Sequence, residues 1–337
     1  MKQKTSDSFA SGWYRPPTWQ WLLLPIMMLF AVLSSMRRIC YRLGILSAYK
    51  SQIPVIVVGN ITVGGNGKTP VVSALIEHFL NSGLSPVLLT RGYGGTCKRF
   101  PHVISPDDTA TFVGDEPAMI KGRYNISVIV DPKRKRGMRF IEHNISADVV
   151  ICDDGLQHYA LGRDIECCVM DSRGVGNGYL LPLGPLREGH WRLNTVDFIL
   201  VNGEQQLGCL TSVSTSVAHF VIAPQKFINV KNGKTLSLHE AVNRFCDKET
   251  IALAGIGDPE RFYSTLASIG IAPRQQQSFA DHHVYKKDDL PDAEIVIMTE
   301  KDAIKCKEIA SENCWYLQIN AELPNHVYDY INAKLAA

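Results

Sequence analysis

Val55-Ile56-Val57-Val58-Gly59-Asn60-Ile61-Thr62-Val63-Gly64-Gly65-Asn66-Gly67-Lys68-Thr69 is the stretch on which the fold turns. Ile53-Pro54 leads into four β-branched residues, and a short apolar run closed by Gly and Asn reads as a buried strand. From Pro70 a helical pattern passes through Leu75, Ile76, Phe79 and Leu80 and stops at Asn81-Ser82-Gly83. Between strand and helix lies the pattern GxxxxGK[ST], whose glycines let successive backbone N–H groups curl around phosphate oxygens. Thr62, Gly64, Gly65, Asn66 and Gly67 are the expected cradle, Lys68 reaches the β/γ-phosphates, and the Thr69 hydroxyl ligates Mg²⁺. The helix N-terminus adds its partial positive charge. Thr62 stands where the pattern has glycine, and Gly64 with Gly65 is expected to supply the turn instead.

Working outward, further apolar strands are expected at Pro86–Thr90, Ser127–Val130, Asp148–Cys152, Ile165–Met170 and Asp197–Val201. Strands alternating with helical stretches predict an α/β fold: a P-loop NTPase-like parallel sheet with helices on both faces, binding ligands at the carboxyl ends of its strands. Asp148-Val149-Val150-Ile151-Cys152-Asp153-Asp154 is an apolar strand ending in two carboxylates, which suits Asp153 to Mg²⁺ and Asp154 to its outer shell. The polar stretch Gln205–Ser216 breaks the pattern, and Lys226–Val230 with Thr235–Leu238 reads as a hairpin linking two domains. A second α/β unit follows: strand Thr250–Leu253, loop Ala254-Gly255-Ile256-Gly257, a helix opened by Asp258-Pro259, strand Glu294–Met298 and helix Lys301–Ile309. The expected division is 1–50 as an N-terminal membrane region, 51–217 as the P-loop core, 218–238 as the hairpin linker, 239–320 as a smaller α/β domain, and 321–337 as a C-terminal helix returning to the core.

A guanine nucleotide would require a DxxG switch and an [NT]KxD reader. The residues after Asp153 run Asp154-Gly155, and Thr299-Glu300-Lys301-Asp302 has Glu where that reader has Lys. ATP is therefore the expected nucleotide.

The formal charge is +2, but residues 1–50 carry seven Lys/Arg against one acid (+6) and the remainder 28 against 32 (−4). A nucleic-acid binder shows a basic body rather than a basic end, so nucleic acid is not an expected partner. The nine cysteines are odd in number and lack metal-ligand spacing, which fits a reducing, cytoplasmic setting. Trp21–Leu33 is an unbroken apolar run of 13, preceded by Trp13, Tyr14 and Trp19 and followed by Arg37, Arg38 and Arg42. A span needs about 20 apolar residues. The run reads as an interfacial helix with its arginines on anionic phospholipid; the alternatives are a helix packed on the protein's own core or a single true span. The charge run Lys133–Arg136 reads as a solvated helix face, with a face toward anionic lipid as the alternative.

The chain resembles the tetraacyldisaccharide 4′-kinases of lipid A biosynthesis over nearly its whole length. The motifs that carry the likeness are Val58-Gly59-Asn60 through Gly67-Lys68-Thr69; Arg91-Gly92-Tyr93; Val113-Gly114-Asp115-Glu116-Pro117; Asp153-Asp154-Gly155-Leu156-Gln157-His158; Leu181-Pro182-Leu183-Gly184-Pro185-Leu186-Arg187-Glu188; Gly255 through Phe262; Asp281-His282; and Thr299-Glu300-Lys301-Asp302-Ala303. The resemblance implies transfer of the ATP γ-phosphate to the 4′-hydroxyl of an acylated glucosamine disaccharide 1-phosphate, yielding lipid IV-A on the cytoplasmic face of the inner membrane. It also implies Glu188 as a further residue around the metal, and Arg91, Tyr93, Gln157, His158 and Arg187 as sugar or phosphate contacts.

A sugar hydroxyl must lose its proton to a group in reach as the phosphoryl group arrives. Asp115 is the expected base and His282 its orienting partner, drawn from different domains and assembled when these close over substrate. Competing readings are a membrane-recruited P-loop switch that controls a partner protein, and a kinase of a soluble small molecule.

Overall fold

The computed structural model describes residues 12–336. In chain order the strands are β1 (Val55–Gly59), β2 (Pro86–Thr90), β3 (His102–Val103), β4 (Ser127–Val130), β5 (Val149–Asp153), β6 (Ile165–Met170), β7 (Phe198–Asn202), β8 (Ser216–Asn229), β9 (Thr235–Ser237), β10 (Thr250–Ala254), β11 (Gln275–Ser278), β12 (Ile295–Thr299) and β13 (Cys314–Glu322). Two compact units result, and neither is continuous in sequence. The first takes the described residues up to Thr90, then Lys133–Val221, then the stretch from Glu322; the second takes Arg91–Pro132 and Ile222–Ala321.

The first unit is a parallel sheet in the order β8-β7-β6-β1-β5-β2. β1 is central and buried along its whole length, as a β-branched run flanked by two strands must be. Its end is in register with the chemistry: Val58 pairs with Asp153 of β5 and with Cys167 of β6. The helix Lys68–Asn81 buries Val71, Val72, Leu75, Ile76 and Phe79, each worth about 1.5–3 kcal/mol of transfer free energy. It starts two residues before the expected Pro70. The C-terminal helix Asn325–Leu335 packs on this unit: His78 stacks on Tyr328 and bonds Asn332 at 2.9 Å, and Tyr330 donates to Asp197 at 2.7 Å.

The second unit is a parallel sheet, β11-β10-β12-β13, with the far half of β8 next to β13 and β9 antiparallel to β8. The hairpin expected to be a linker is part of this body, because Phe227 and Leu236 are buried with Phe245, Leu266 and Trp315 in its core. A helix that sequence reading passed over, Leu238–Phe245, begins at a capping box of Ser237 and Glu240. Pro259 does open the helix Pro259–Ser268, although Asp258 makes no side-chain cap bond.

Residues 91–132, expected inside the core domain, belong to the second unit instead. Their helix Asp115–Arg123 packs against the helix Glu300–Cys306. Arg123 donates to the Ile319 carbonyl at 2.7 Å and pairs with Glu300 at 3.4 Å, both side chains less than 10% exposed. Arg123→Ala should destabilise this unit by about 3–5 kcal/mol, because it leaves a buried carboxylate short of its cation. Urea unfolding of Arg123→Ala, Glu300→Ala and the double variant checks this. The double loss should fall well short of the sum, whereas additive losses would mean the two do not interact.

The N-terminal turns Gly12–Tyr14 and Trp19–Leu23 lead into the helix Leu24–Arg42, of which no residue is buried. The helix therefore contributes no buried side chain to the core, although its last turns touch the first unit through Arg38 over Trp191 and Tyr41 beside Tyr159. The continuous helical stretch Trp19–Arg42 has 24 residues and is long and apolar enough to cross a membrane by length and composition. The 13-residue run is thus part of a longer helix, and its shortness no longer argues against a span. The first unit holds the segment through Trp13, whose indole donates to the Pro182 carbonyl at 3.0 Å, and through the edge contact of Trp21 with Tyr179.

Candidate functional site

β1 ends at Gly59, where a Cβ would come within 2.8 Å of Leu156, so only glycine lets these segments approach so closely. The loop that follows turns at Gly64 (φ 109°) and Gly67 (φ 88°). The expected turn therefore uses Gly64, but its second left-handed residue is Gly67 rather than Gly65. Thr62 needs no glycine because it lies in a short antiparallel bridge to Leu186, buried, with its hydroxyl accepting from Asn66 Nδ2 at 3.0 Å. A Cβ at Gly65 would meet nothing within 4 Å, which leaves the loop face open to a ligand. Lys68 and Thr69 are the first two residues of the helix behind it.

Asp153 closes β5 beside this loop and is buried. Asp154 follows with left-handed backbone (φ 48°). Its carboxylate accepts from Arg187 Nη1 at 3.0 and 2.9 Å and lies 3.6 Å from Lys68 Nζ. Burial opposes its charge, but Lys68 and Arg187 hold it below the ordinary carboxylate range. The Pro/Gly loop before Arg187 is strapped to the cradle, with Val63 N donating to Pro185 O at 2.9 Å and Arg187 N to Ile61 O at 2.7 Å. Gln157 donates to the Asn60 carbonyl at 3.1 Å and to Glu188 at 3.0 Å. Glu188 is buried, and Tyr159 donates to its other oxygen. Both oxygens of Glu188, the residue expected near the metal by resemblance, are thus engaged. His158 is half-buried, and its carbonyl accepts from Arg163 at 2.7 Å.

Two arginines of this site escaped sequence reading. Arg134, expected on a solvated face, is buried and donates to the Asp153 carbonyl at 2.7 Å. Arg173 is clamped by the buried Asp171 and donates to Gly65 O at 2.7 Å and to Asn66 Oδ1 at 3.2 Å. The signal for Arg173 was its place just past the end of β6, the strand beside β1.

The residues suit a nucleoside triphosphate and a hard cation. The loop face is open, one cation waits on the helix N-terminus, and Asp153 with Thr69 offers oxygen donors of the kind Mg²⁺ takes. Asn60 Oδ1, at the base of the loop, is buried without a hydrogen-bond partner, an acceptor that a metal-bound water would satisfy.

The second unit carries Arg91, Tyr93, Asp115 and His282. His282 Nδ1 and Asp115 Oδ2 are 2.9 Å apart. The expectation that the pair comes from separate domains is corrected: both residues lie in one unit, and the pair is already formed. Two backbones meet closely to place it, since a Cβ at Gly114 would sit 2.7 Å from Tyr93 O and one at Gly92 2.9 Å from Val113 O. The Tyr93 ring lies 5.6 Å from that of His282, and Arg91 is exposed. Asp281 accepts from the His282 backbone N–H at 3.0 Å and from Lys301 at 2.9 Å. Burial would raise the Asp281 carboxyl, but the Lys301 ammonium holds it low. Thr299-Glu300-Lys301-Asp302, the near miss to a guanine reader, is a brace. Asp302 accepts from Gly255 N at 2.8 Å and from Thr299 at 2.7 Å, while Lys301 steadies the loop that bears His282. Among the described residues only Asp154 and His282 combine a side chain with positive φ, a strain that concentrates at functional sites.

A family model for tetraacyldisaccharide-1-P 4′-kinase matches residues 19–336. The sequence is 44% identical to the tetraacyldisaccharide 4′-kinase of Psychromonas ingrahamii, over 92% of this chain and 93% of that one. It is 45% identical to the one of Shewanella oneidensis, over 92% and 90%. The crystal structure of LpxK from Aquifex aeolicus in complex with ATP is similar at a TM-score of 0.82 with 27% identity, over 94% of this chain and 100% of that one.

Proposed function

Since the chain belongs to the tetraacyldisaccharide-1-P 4′-kinase family, we propose that its two residue clusters serve the donor and acceptor sides of one phosphoryl transfer. The reaction moves the γ-phosphate of ATP to the 4′-hydroxyl of a tetraacyldisaccharide 1-phosphate, a kinase step of lipid A biosynthesis that yields lipid IV-A. The observation that carries the assignment of roles is the open cradle Gly64–Thr69 with the β5 carboxylates in register beside it.

On the donor side, Gly64 to Gly67 present backbone N–H groups to the phosphates and Lys68 follows the γ-phosphoryl group. An arriving triphosphate competes with Asp154 for Lys68 and Arg187. Asp154 thus keeps the cations in place until phosphate replaces it. Thr69 and Asp153 would hold Mg²⁺, which supplies charge to neutralise the β/γ oxygens. Arg173 fixes the Gly65-Asn66 peptide, so the cradle keeps its shape. On the acceptor side, the 4′-oxygen bonds to the γ-phosphorus as the bond to the β–γ bridging oxygen breaks, and its proton passes to Asp115. His282 orients that carboxylate and stabilises its charge. Arg91, Tyr93, Gln157, His158 and Arg187 offer the hydrogen-bonding groups that a sugar phosphate needs.

Incubation with γ-labelled ATP and a membrane lipid extract tests the reading. Label should enter a lipid fraction. Slow release of inorganic phosphate, indifferent to glycolipid, would instead support a nucleotide switch.

The acceptor's acyl chains are held in a bilayer, and the exposed apolar helix Trp19–Arg42 supplies attachment there. The proposed location is the cytoplasmic face of the inner membrane, with the helix at the phospholipid interface; the free state of all nine cysteines suits a reducing compartment. Deleting residues 1–35 should release most of the protein from membranes while the P-loop unit stays folded, and sedimentation with circular dichroism measures both. An insoluble, unfolded product would make the helix part of the fold. Residual binding through Arg37, Arg38 and Arg42 should weaken as salt rises.

A further inference from the structure

Where the N-terminal helix ends, a cavity of about 280 Å³ opens between its last turns and the segment that carries Trp191 and Arg192. Four guanidinium groups, Arg38, Arg42, Arg163 and Arg192, line it against one carboxylate, Glu166. Glu166 already answers two of them, accepting from Arg163 at 2.6 Å and from Arg192. Arg38 lies over the Trp191 ring, its Cζ 3.4 Å from the centroid, and its Nε is buried with no hydrogen-bond partner. Neither Arg38 nor Arg42 makes an ion pair among the described residues. A cavity with this surplus of planar cations is short of one anion, and bidentate guanidinium geometry matches phosphate best. On the same helix Leu29, Leu33 and Met36 are each more than half exposed, so the anion that fits is one joined to apolar chains.

We propose that this cavity binds the phosphate group of an acylated lipid, with Arg38 and Arg42 as its free cations and the apolar helix face beside the acyl chains. Two sources share that chemistry: the headgroup of an anionic phospholipid, and the 1-phosphate of the acceptor. The second deepens the kinase reading and rests on it; the first does not.

The test compares the full-length wild type with Arg38→Gln/Arg42→Gln and with Arg38→Lys/Arg42→Lys. In the first arm, flotation on phosphatidylglycerol/phosphatidylcholine vesicles is set against phosphatidylcholine alone. A headgroup in the cavity predicts about 30-fold weaker binding of the Gln variant to the anionic vesicles only, from roughly 1 kcal/mol per basic residue at the surface, with partial retention in the Lys variant. In the second arm, transfer is measured in phospholipid-free detergent with acceptors that carry or lack the 1-phosphate. A 1-phosphate in the cavity predicts a similar rise in the acceptor KM, confined to the phosphorylated acceptor and with kcat unchanged. A Gln variant that keeps wild-type affinity in both arms overturns the proposal. If the wild type transfers nothing in the second arm, the kinase reading fails, and the vesicle arm alone decides the cavity.

Discussion

Asp115→Ala is expected to lower kcat by about 10²–10⁴-fold, the usual worth of a positioned general base, while ATP affinity and melting temperature stay close to wild type. The carboxylate is 12% exposed and faces His282 at 2.9 Å and Lys305 at 4.0 Å. Its removal thus takes away a proton acceptor without opening the core of the unit. His282→Ala should cost a comparable factor, because on the proposed reading the imidazole, 2.9 Å away, holds the carboxylate in the orientation that accepts the proton. The two act as a unit, so the double variant should lose far less than the product of the single losses. Strictly multiplicative losses would end the pairing, and a melting temperature that drops sharply in either single variant would make the residue structural. Since the pair is formed within one unit, the proposed base would need no assembly step before it could act.

Lys68→Ala should depress kcat by about 10²–10³-fold, the range found when one preorganised donor to a developing charge is removed, and raise the KM for ATP much less. In the proposed mechanism Lys68 accompanies charge that grows in the transition state, whereas the backbone N–H groups of Gly64 to Gly67 would hold the ground-state phosphates in either protein. Asp154 would keep Arg187 as a partner in the variant, so the site should not collapse around an unpaired carboxylate. Steady-state kinetics with nucleotide affinity measured separately distinguishes the two effects. Near-normal turnover in the purified variant would remove Lys68 from the chemistry.

The proposed donor side could be named in the sequence because it is local. A β-branched strand, the glycines of the loop, Lys68 and Thr69 follow one another within fifteen positions, and β5 announces its carboxylates by an apolar run. The Asp115–His282 pair could be named from its motifs but not placed, since the packing that puts residues 91–132 in the second unit is set by partners such as Arg123 and Glu300, 177 positions apart. Arg134 was misread for the same reason. A charge run looks solvated until a strand end 19 positions away claims one of its members. The helix Leu238–Phe245 was different. Its signal, Ser237 with Glu240 three residues on, was present and went unread.

The placement of the helix Asn325–Leu335 on the first unit bears on how the chain is made. Ribosomes deliver sequence from the N-terminus, and units usually fold as they emerge. Here β1 and its loop are synthesised early, yet the partners of His78 and Asp197 on that helix arrive among the last residues described. Such long-range closure is slow. During most of synthesis the first sheet therefore lacks a covering helix while the apolar N-terminal segment is already outside the tunnel. The nascent kinase should meet the bilayer before its own core is complete, and early docking would shield that segment from aggregation.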